Sequence, residues 1–505
     1  MSRPLTRRRF LQALASATAA GAIPRIARAS FPPSPVGAIG QNYDDGSKAV
    51  PGGLAGDPEK VIVVGAGFAG LAVANALGSA GIPCVVLEAR RRLGGRAWTA
   101  DVGGSPIDLG CSWITDPVGN PMTRFATESG VLQTNAAIEL DVPTSRFYDE
   151  RTGVVLPPDT ADAVAHTLLF EQDAAGISAK LGPRASTKDG ILYYLDKNKL
   201  RGDPRRRAEY FLRLVTELPD ATDWEKDSLF YWANYESPYY GFGQGDFPRG
   251  GYRSIVRSLG AGADVRLGHR VTGITLERGG VRVHGVGAAG SRVALSASHV
   301  VVTVPLGVLK ARSIAFSPRL PSIKQHAIDR LGFGTFEKVV MRFPEPYWAS
   351  EHTHIFHLSY PNPMRFPLIV DYFHLEAVPV LVAFNVASRA LELDRLSDRQ
   401  IASRMRDVLR TVHGGPIPRP TDVVITRWKN DPYSNGSYSY IPVGSSPADQ
   451  ETLSQPVSGR ILFAGEATST ARYGYADGAL STGIREAKRL LRQPTVRLRP
   501  HASVR

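Results

Sequence analysis

Residues 60–96 read KVIVVGAGFAGLAVANALGSAGIPCVVLEARRRLGGR, and this stretch decides the fold. Its first five residues are an apolar run that predicts a buried parallel strand, and the alanine-rich residues after the glycines predict a helix to about Ser79. Residues 84–87 predict a second strand, which Glu88 ends. This is the setting in which G-x-G-x-x-G binds a dinucleotide. A flexible glycine loop, the alternative for the motif alone, does not explain the ordered elements around it.

The three glycines of the motif have separate tasks. Gly65 makes the tight turn, Gly67 lets the backbone approach a pyrophosphate, and Gly70 permits close packing of helix against strand. The N-terminus of the following helix favours phosphate through its free N–H groups and its dipole. Glu88, at the end of the second predicted strand, would accept hydrogen bonds from an adenosine ribose. These features leave open whether the nucleotide is NAD or FAD.

The continuation of the second strand narrows that choice. Residues 88–96 read EARRRLGGR, and E-A-x-x-R-x-G-G-R resembles the FAD-binding pattern of the flavin amine oxidases. That family contains monoamine oxidases, polyamine oxidases and lysine-specific histone demethylases, and this chain resembles a bacterial-type exported member. By this resemblance Glu88 binds ribose, while Arg92 and Arg96 approach the pyrophosphate. A solvated arginine run stays the alternative for Arg91.

Further segments that match the family are spread along the chain. Residues 108–114 read DLGCSWI and resemble a segment that passes close to the flavin. Residues 269–274 read HRVTGI and resemble the strand whose valine backbone, here Val271, contacts the adenine. Residues 301–310, VVTVPLGVLK, predict a strand that turns at Pro305.

A second strong match lies near the C-terminus, far from the first in sequence. A predicted strand at 460–463 is followed by AGEAT at 464–468 and by YGYADGALSTG at 473–483, and the family joins a strand end to a helix start in this way. That helix N-terminus would direct its positive dipole at the N1/O2 edge of the flavin. By resemblance, Glu466 holds the ribityl or pyrophosphate region. The resemblance covers most of residues 58–492, and it assigns FAD contacts to Gly65, Gly67, Phe68, Ala69, Gly70, Glu88, Ala89, Arg90, Arg92, Gly95, Arg96, Gly110, Cys111, Ser112, Trp113, Val271, Trp428, Gly465, Glu466, Tyr475, Ala476 and Asp477.

The substrate side is expected around residues 433–440, YSNGSYSY, which align with the family segment over the flavin. Ser437 stands where monoamine oxidases carry a cysteine bound to FAD, so FAD is expected to be noncovalent. Tyr438 and Tyr475 match the aromatic pair of monoamine oxidases, which orients an amine lone pair or holds a cation. Tyr440 is expected to be a packing residue.

A lysine within an apolar strand has two interpretations. Residues 334–343 read GTFEKVVMRF, and their alternation predicts a half-buried strand with Lys338 in water, because lysine is rarely buried unpaired. However, residues 331–340 resemble the polyamine oxidase and demethylase segment whose lysine reaches flavin N5 through a water. The resemblance therefore places Lys338 in the flavin cleft, and it implies Lys338, Tyr438 and Tyr475 as the catalytic residues.

Acidic residues are the candidates for recognising a second charged group of the substrate. In some polyamine oxidases a carboxylate at the pocket mouth attracts the distal ammonium group. Asp220, within TELPDATD, is the best positional match, and Glu217 is close to it. A solvated helix end is the alternative. Thr115 stands where polyamine oxidases often carry an acidic residue or histidine, and this difference counts against a polyamine substrate.

The N-terminal segment, residues 1–29, predicts a signal peptide. Residues 6–12, TRRRFLQ, show a twin-arginine pattern, and Ala27-Arg28-Ala29 is a cleavage candidate. A basic amphipathic helix or a disordered arm is the alternative. The protein is therefore expected to be periplasmic or secreted, exported folded by the twin-arginine machinery. Residues 30–58 predict a linker rich in proline and glycine.

Composition excludes other classes of function. The chain has 505 residues and no run of about 18 apolar residues, so no transmembrane helix is expected. Residues 1–29 hold six arginines and no acid, so without them the net charge falls from +13 to +7. No nucleic-acid motif is present, and nucleic-acid binding is not expected.

Cys84 and Cys111 are interpreted as free thiols. The sequence HTHIFH at 352–357 lacks carboxylate or cysteine partners, so no metal is expected.

Together these patterns predict an α/β protein with a Rossmann-like FAD-binding domain and an interleaved α+β substrate domain. The FAD-binding domain is expected to combine residues 59–130, 250–320 and 425–492. The substrate domain is expected to combine residues 131–249 and 321–424, and residues 493–505 form a basic tail.

The resemblance implies an FAD-dependent amine oxidase that acts on primary or secondary amines, with polyamine-type amines favoured. Hydride transfer to flavin N5 would give an imine, then an aldehyde, and molecular oxygen would yield hydrogen peroxide unless a periplasmic electron carrier is the acceptor. The alternatives are a monoamine or amino-acid oxidase or dehydrogenase, a flavin desaturase or protoporphyrinogen-oxidase-like enzyme, and a flavin-binding protein without turnover. The sequence does not specify the oligomeric state.

Overall fold

A computed structural model describes residues 61–139, 145–154, 160–235, 238, 244–348, 354–358, 365–492 and 498–499. The predicted signal peptide and linker lie outside these residues, as does nearly all of the predicted basic tail, so they stay predictions. The helices of the described residues are α1 (Phe68–Ser79), α2 (Pro121–Glu128), α3 (Thr160–Leu181), α4 (Thr187–Lys197), α5 (Gly202–Asp220), α6 (Leu229–Ala233), α7 (Tyr252–Gly260), α8 (Leu306–Lys310), α9 (Ser322–Arg330), α10 (Tyr372–Glu376), α11 (Ala387–Leu393), α12 (Asp398–His413), α13 (Pro447–Ser454) and α14 (Ala476–Leu491). The strands are β1 (Val61–Val64), β2 (Cys84–Glu88), β3 (Thr99–Val102), β4 (Ser105–Asp108), β5 (Ile114–Thr115), β6 (Leu132–Glu139), β7 (Ser145–Asp149), β8 (Gln244–Pro248), β9 (Asp264–Leu267), β10 (Arg270–Glu277), β11 (Gly280–Val286), β12 (Arg292–Ala297), β13 (His299–Val302), β14 (Ala315–Ser317), β15 (Gly332–Phe333), β16 (Phe336–Arg342), β17 (His354–Leu358), β18 (Leu368–Asp371), β19 (Val380–Val386), β20 (Asp422–Ile425), β21 (Ser439–Tyr440) and β22 (Ile461–Phe463).

A parallel sheet carries the nucleotide motif. Among the described strands its order is β22-β13-β1-β2-β9. Strands β1, β13 and β22 are buried at every position, which explains why their sequences are continuous apolar runs rather than alternating ones. Helix α1 connects β1 to β2 as a βαβ unit. The predicted strand, helix to Ser79 and second strand ending at Glu88 are confirmed.

The C-terminal helix lies against the first helix. Helices α1 and α14 pack along each other, and a Cβ atom on Gly483 would lie 2.3 Å from the carbonyl oxygen of Ala69. Glycine at this position therefore lets the two helix backbones approach closely. The two FAD-binding motifs, far apart in sequence, share one core that includes Leu71 and Leu480.

A second sheet has the order β20-β16-β19-β18-β17-β7, antiparallel except for the β17–β7 pair. Its strand β19 is buried throughout. Helices α3 to α6 pack around a separate core that includes Phe170 and Tyr194. These elements come from the segments predicted as the substrate domain, apart from the last residue of β20, and the division into domains stays a prediction.

Two expectations about local structure are wrong. Strand β16 is not half-buried, since Glu337 and Lys338 are 2% and 4% exposed. One of its faces packs on α12 and the other on the β3–β4 hairpin, so the alternation is present but neither face meets water. Residues 301–310 continue β13 only to Val302, and Pro305 then precedes the short helix α8.

No helix within the described ranges is both long and apolar enough to cross a membrane. Cys84 and Cys111, both in those ranges, are free. No group of three His, Cys, Asp or Glu side chains arranged for a metal occurs in this part of the chain. Of the histidines considered above, His354 and His357 lie in β17, whereas His352 falls outside the described residues.

Candidate functional site

The turn between β1 and α1 leaves backbone N–H groups open. Gly67 caps α1 without a side-chain hydrogen bond, and the following Phe68 and Ala69 begin the helix. A Cβ atom on Gly70 would lie 2.0 Å from the carbonyl oxygen of Gly65, so only glycine fits there. An uncapped helix N-terminus of this kind suits a pyrophosphate.

Glu88 supports this turn from the end of β2. Its Oε2 accepts a hydrogen bond from Ala66 N at 2.8 Å, and its Oε1 accepts one from Arg90 N at 2.7 Å. The N–H of His269 donates to the carbonyl oxygen of Glu88 at 2.8 Å, which brings the start of β10 and the buried Val271 to the same place. Carboxylate oxygens accept more than one hydrogen bond, so Glu88 retains capacity for a ribose.

The arginines after β2 differ in their partners. Arg90, next to the half-buried Ala89, forms an ion pair with Asp431 at 3.0 Å. The guanidinium of Arg92 lies over the ring of Trp98 at 4.7 Å, and burial lowers the pKa of Arg92 to about 10. Arg91 is exposed, in agreement with the alternative of a solvated residue. The predicted approach of Arg92 to a pyrophosphate stays a prediction.

Arg96 and Glu466 join the two FAD-binding motifs. Arg96 Nη1 donates to Glu466 Oε1 at 2.8 Å and to the carbonyl oxygen of Ser437 at 2.7 Å. Glu466 Oε2 accepts from Gly474 N at 2.8 Å and from the hydroxyl of Ser439 at 2.5 Å. Both oxygens of Glu466 are therefore engaged within the protein, where they fix the loops around the site, and its contact with FAD stays a prediction.

Lys338 lies buried beneath the segment that follows β4. Its Nζ donates to the carbonyl oxygens of Asp108 at 2.9 Å and Gly110 at 2.6 Å, and to the hydroxyl of Ser112. Burial lowers the pKa of Lys338 to about 8, and burial raises the pKa of Asp108 to about 7. The expectation from alternation alone, a lysine in water, is wrong. The cation instead contacts the segment that was expected to pass close to the flavin.

Hydrogen bonds behind Lys338 fix the strand that carries it. Lys338 N donates to Thr426 Oγ1 at 2.7 Å, and that hydroxyl donates to Glu337 Oε2 at 2.6 Å. Burial raises the pKa of Glu337 to about 7. Trp428 Nε1 donates to the carbonyl oxygen of Leu109 at 3.2 Å. This bond links the loop after β20, which contains Thr426 and Trp428, to residues 108–112, which Lys338 contacts.

Aromatic rings close the space around this lysine. Trp113 stacks on Phe384 with ring centroids 5.9 Å apart, and Lys338 Nζ lies 5.4 Å from the centroid of Phe384. Tyr252 Oη donates to the carbonyl oxygen of Trp113 at 3.0 Å. Burial raises the pKa of the Cys111 thiol, so this residue is an uncharged packing group rather than a nucleophile.

The two predicted aromatic residues lie close together, since a Cβ atom on Gly474, the residue before Tyr475, would be 3.4 Å from Tyr438 Cδ2. Tyr438 Oη donates to the carbonyl oxygen of Leu218 at 3.1 Å, and Tyr475 precedes α14 as its cap, without a side-chain hydrogen bond to the helix. Burial raises the pKa of Tyr475 to about 12, and burial, Asp220 and Tyr475 raise that of Tyr438 well above its usual value. Both phenols are therefore neutral at physiological pH. Tyr440 is buried, as expected for packing.

Arg472 was not identified from the sequence. It is 1% exposed, and its guanidinium lies over the ring of Tyr475 at 3.8 Å. Its Nε and Nη2 donate to the two oxygens of Asp477 at 2.7 and 3.0 Å, and its Nη1 donates to Asp116 Oδ2 at 2.8 Å. Because the Asp477 side chain is engaged in this way, we expect any contact of Asp477 with FAD to come from its main chain. No sequence pattern marks Arg472, which stands between two motifs.

Asp220 lies near the two tyrosines, and a second carboxyl group, that of Asp227, lies near Asp220. Asp220, half-buried at the end of α5, contributes to the raised pKa of both Tyr438 and Tyr475. Asp227 is 4% exposed, and its Oδ2 accepts no hydrogen bond from any residue that the structure describes. Burial and the nearby Asp220 raise the pKa of Asp227 well above its usual value. Asp227 was also missed, since no motif contains it.

The other two substrate candidates have structural contacts. Glu217 is buried, pairs with Arg213 at 2.9 Å and accepts a hydrogen bond from Trp224 N at 3.3 Å. These contacts favour a structural role for Glu217. Thr115 is half-buried in β5, and its carbonyl oxygen accepts a hydrogen bond from Arg472 Nη2 at 3.3 Å.

These features fit FAD. The uncapped N-termini of α1 and α14 both face the carboxyl-end side of the parallel sheet, where open α/β sheets bind ligands. A small crevice lies at the ends of β13 and β22, and its lining includes Arg96, Gly465 and Glu466. Gly95 lies against the nucleotide turn, where a Cβ atom would be 3.5 Å from Gly67 Cα.

Comparison with known proteins gives a consistent result. The family described as flavin containing amine oxidoreductase matches residues 68–491. Lysine-specific histone demethylase 1 homolog 2 from Arabidopsis thaliana is 35% identical over 460 residues, which are 86% of this chain but only 59% of that protein. Polyamine oxidase 3 from Oryza sativa subsp. japonica is 31% identical over 451 residues, 85% of this chain and 88% of that protein. The chain therefore spans less than two thirds of the demethylase homologue and most of the polyamine oxidase.

Proposed function

Because the chain belongs to the flavin containing amine oxidoreductases, with FAD as the cofactor, we propose that it oxidises amines and that polyamine-type amines are its substrates. FAD supplies the redox chemistry of such a reaction, as the hydride acceptor for the α-carbon of the amine. The observation that carries the proposal is the position of the buried Lys338 cation, which contacts residues 108–112. In the same protein, Tyr438 and Tyr475 lie at the start of α14.

The residues that would hold the cofactor come from both motifs. The β1–α1 turn would bind the pyrophosphate through its N–H groups, and Glu88 would accept hydrogen bonds from the adenosine ribose. The N-terminus of α14 would face the pyrimidine edge of the flavin with its positive dipole. Ser437 offers no thiol for a covalent link, which supports noncovalent binding.

The remaining residues would orient the amine and supply charge. Tyr438 and Tyr475 would hold the amine between aromatic faces, with its α-carbon toward the flavin. Lys338 would keep a positive charge beside the reacting centre. Loss of hydride and a proton converts the amine to an imine, which water hydrolyses to an aldehyde and a smaller amine. Molecular oxygen would take up the two electrons and two protons as hydrogen peroxide.

Asp220 supports a substrate with more than one positive charge. A monoamine needs one cation site, which the aromatic pair can provide. The carboxylate of Asp220 beside that pair offers a second, and it can attract a distal ammonium group over several ångströms. The similarity to a protein named polyamine oxidase 3, over most of its length, supports the same choice.

The proposal is tested by mixing the oxidised holoenzyme with amines in the absence of oxygen. We expect spermine to bleach the visible absorbance of the flavin, and admission of air to restore it with release of hydrogen peroxide. Restoration by artificial acceptors but not by oxygen would identify a carrier as the acceptor. The absence of bleaching by spermine, spermidine, benzylamine and a panel of amino acids would overturn the assignment as an amine oxidase.

Asp220→Asn is expected to raise the KM for polyamines without raising the KM for monoamines. Removing this charge should raise the KM for spermine about tenfold and change the KM for benzylamine by less than about twofold, because only spermine carries distal ammonium groups. The measurement is a steady-state peroxide assay on both amines. Asp203→Asn, an exposed carboxylate at the other end of α5, is the matched control. Equal effects of Asp220→Asn on the two amines would contradict a distal cation site.

A further inference from the structure

Among the residues that the structure describes, the buried ion cluster next to Tyr475 contains two carboxylates and one arginine. Asp477 already neutralises Arg472 through two hydrogen bonds, at 2.7 and 3.0 Å. Asp116 adds a second carboxylate at 2.8 Å. One guanidinium and two carboxylates carry a formal net charge of −1, in a place where unbalanced charge is costly.

Asp116 is held in an environment that stability alone does not explain. It is 3% exposed and has φ +52°, in the left-handed region that L-residues rarely adopt. Its Oδ1 accepts no hydrogen bond from any of the described residues. Aspartate tolerates this region better than most residues, so the informative feature is the half-satisfied buried carboxylate, which calls for an explanation.

The net charge of this cluster would act on a ligand that binds against the ring of Tyr475. Arg472 covers one face of the ring at 3.8 Å, and taken alone its guanidinium would oppose a cation at the opposite face. Asp477 and Asp116 carry two formal negative charges against that single positive charge. Asp220, at the end of α5, adds to the same negative field at Tyr475.

We propose that Asp116 is a positioning residue for the amine, and that through Arg472 it makes the Tyr475 ring prefer a cationic ligand over a neutral one. The inference rests on the proposed function, because it takes Tyr475 as part of the amine site. It goes beyond that function in naming the ammonium form as the species bound first. Asp116 selects this form from behind the ring, without touching the substrate.

The test compares two ligands of one shape in the holoenzyme. Choline carries a quaternary ammonium group, and 3,3-dimethylbutan-1-ol is its uncharged isostere. Their dissociation constants are measured from the change in flavin absorbance, which needs no turnover. Wild type is expected to bind choline at least about tenfold more tightly than the alcohol, and Asp116→Asn to lower this preference about tenfold by weakening choline alone. Asp116→Glu, which keeps the charge, should preserve most of the preference.

Two outcomes would overturn the inference. A wild-type protein that binds choline no better than the alcohol has no charge preference at this site, and this result needs no variant. An Asp116→Asn protein that folds and keeps the full preference would show that Asp116 serves only the structure. Failure of the proposed function is a different result, namely no bleaching of the flavin by any amine.

Discussion

Lys338→Met is expected to slow reduction of the flavin by amines, its reoxidation, or both, by about 10²–10³-fold. The magnitude is that of removing one preorganised electrostatic donor from a water-excluded site. Stopped-flow absorbance in the absence of oxygen measures reduction, and mixing the reduced enzyme with oxygen measures reoxidation. The substitution also leaves two carbonyl oxygens and the hydroxyl of Ser112 without their buried donor, so a lower melting temperature is expected as well.

Lys338→Arg separates charge from packing in this experiment. Since the pKa of Lys338 is about 8, the protonated fraction falls as pH rises through that value, and any rate that depends on the cation should decline above about pH 8. Burial causes this low pKa, and the nearby Asp108 opposes it. An arginine stays protonated at all accessible pH values, so the alkaline decline should disappear in this variant even if its rate at pH 7 is lower. Unchanged rates in Lys338→Met, with only a lower melting temperature, would make Lys338 a structural residue.

Arg472→Met is expected to have the largest effect on stability, a loss of about 3–5 kcal/mol in the free energy of unfolding. The arginine is 1% exposed, and its removal strands the carboxylates of Asp116 and Asp477 without a cation. Urea unfolding of the holoenzyme, followed by flavin fluorescence and by circular dichroism, measures this loss.

Neutralising the stranded carboxylates should rescue that variant. Arg472→Met combined with Asp116→Asn and Asp477→Asn leaves no buried charge unpaired, so at least half of the lost stability should return. Arg282→Met is the control, because its ion pair with Glu277 is well exposed, and it should cost less than about 1 kcal/mol. A triple variant no more stable than Arg472→Met would show that lost packing, rather than unpaired charge, is the cause.

The parts of the fold that were predicted correctly depend on local patterns. The turn at Gly65 and Gly67, the helix to Ser79 and the strand ending at Glu88 follow from residues close together in sequence, whose glycine spacing and apolar runs allow one arrangement. Tyr438 and Tyr475 were chosen by family resemblance, and their role as an aromatic pair stays a prediction, although the two residues lie close together.

The parts that could not be predicted depend on distant contacts. Alternation along β16 separates its two faces but does not reveal that α12 covers one and the β3–β4 hairpin the other, so Lys338 was expected in water by that argument. The ion pair of Arg472 with Asp116 joins residues 356 positions apart. Neither residue stands in a recognised motif, and a buried charge has no signature in composition.

The close packing of α1 against α14 has a consequence for how the protein is made. A ribosome completes the nucleotide turn early in synthesis, yet α14, which covers α1, is the last of the described helices to be added. Until then the small-residue face of α1 around Ala69 and Ala72 has no cover, and β13 lacks its neighbour β22. Contacts of such long range form late and leave apolar surface exposed in the growing chain. We therefore expect the nascent protein to depend on chaperones through most of its translation and to acquire its cofactor only after the C-terminal helix has docked.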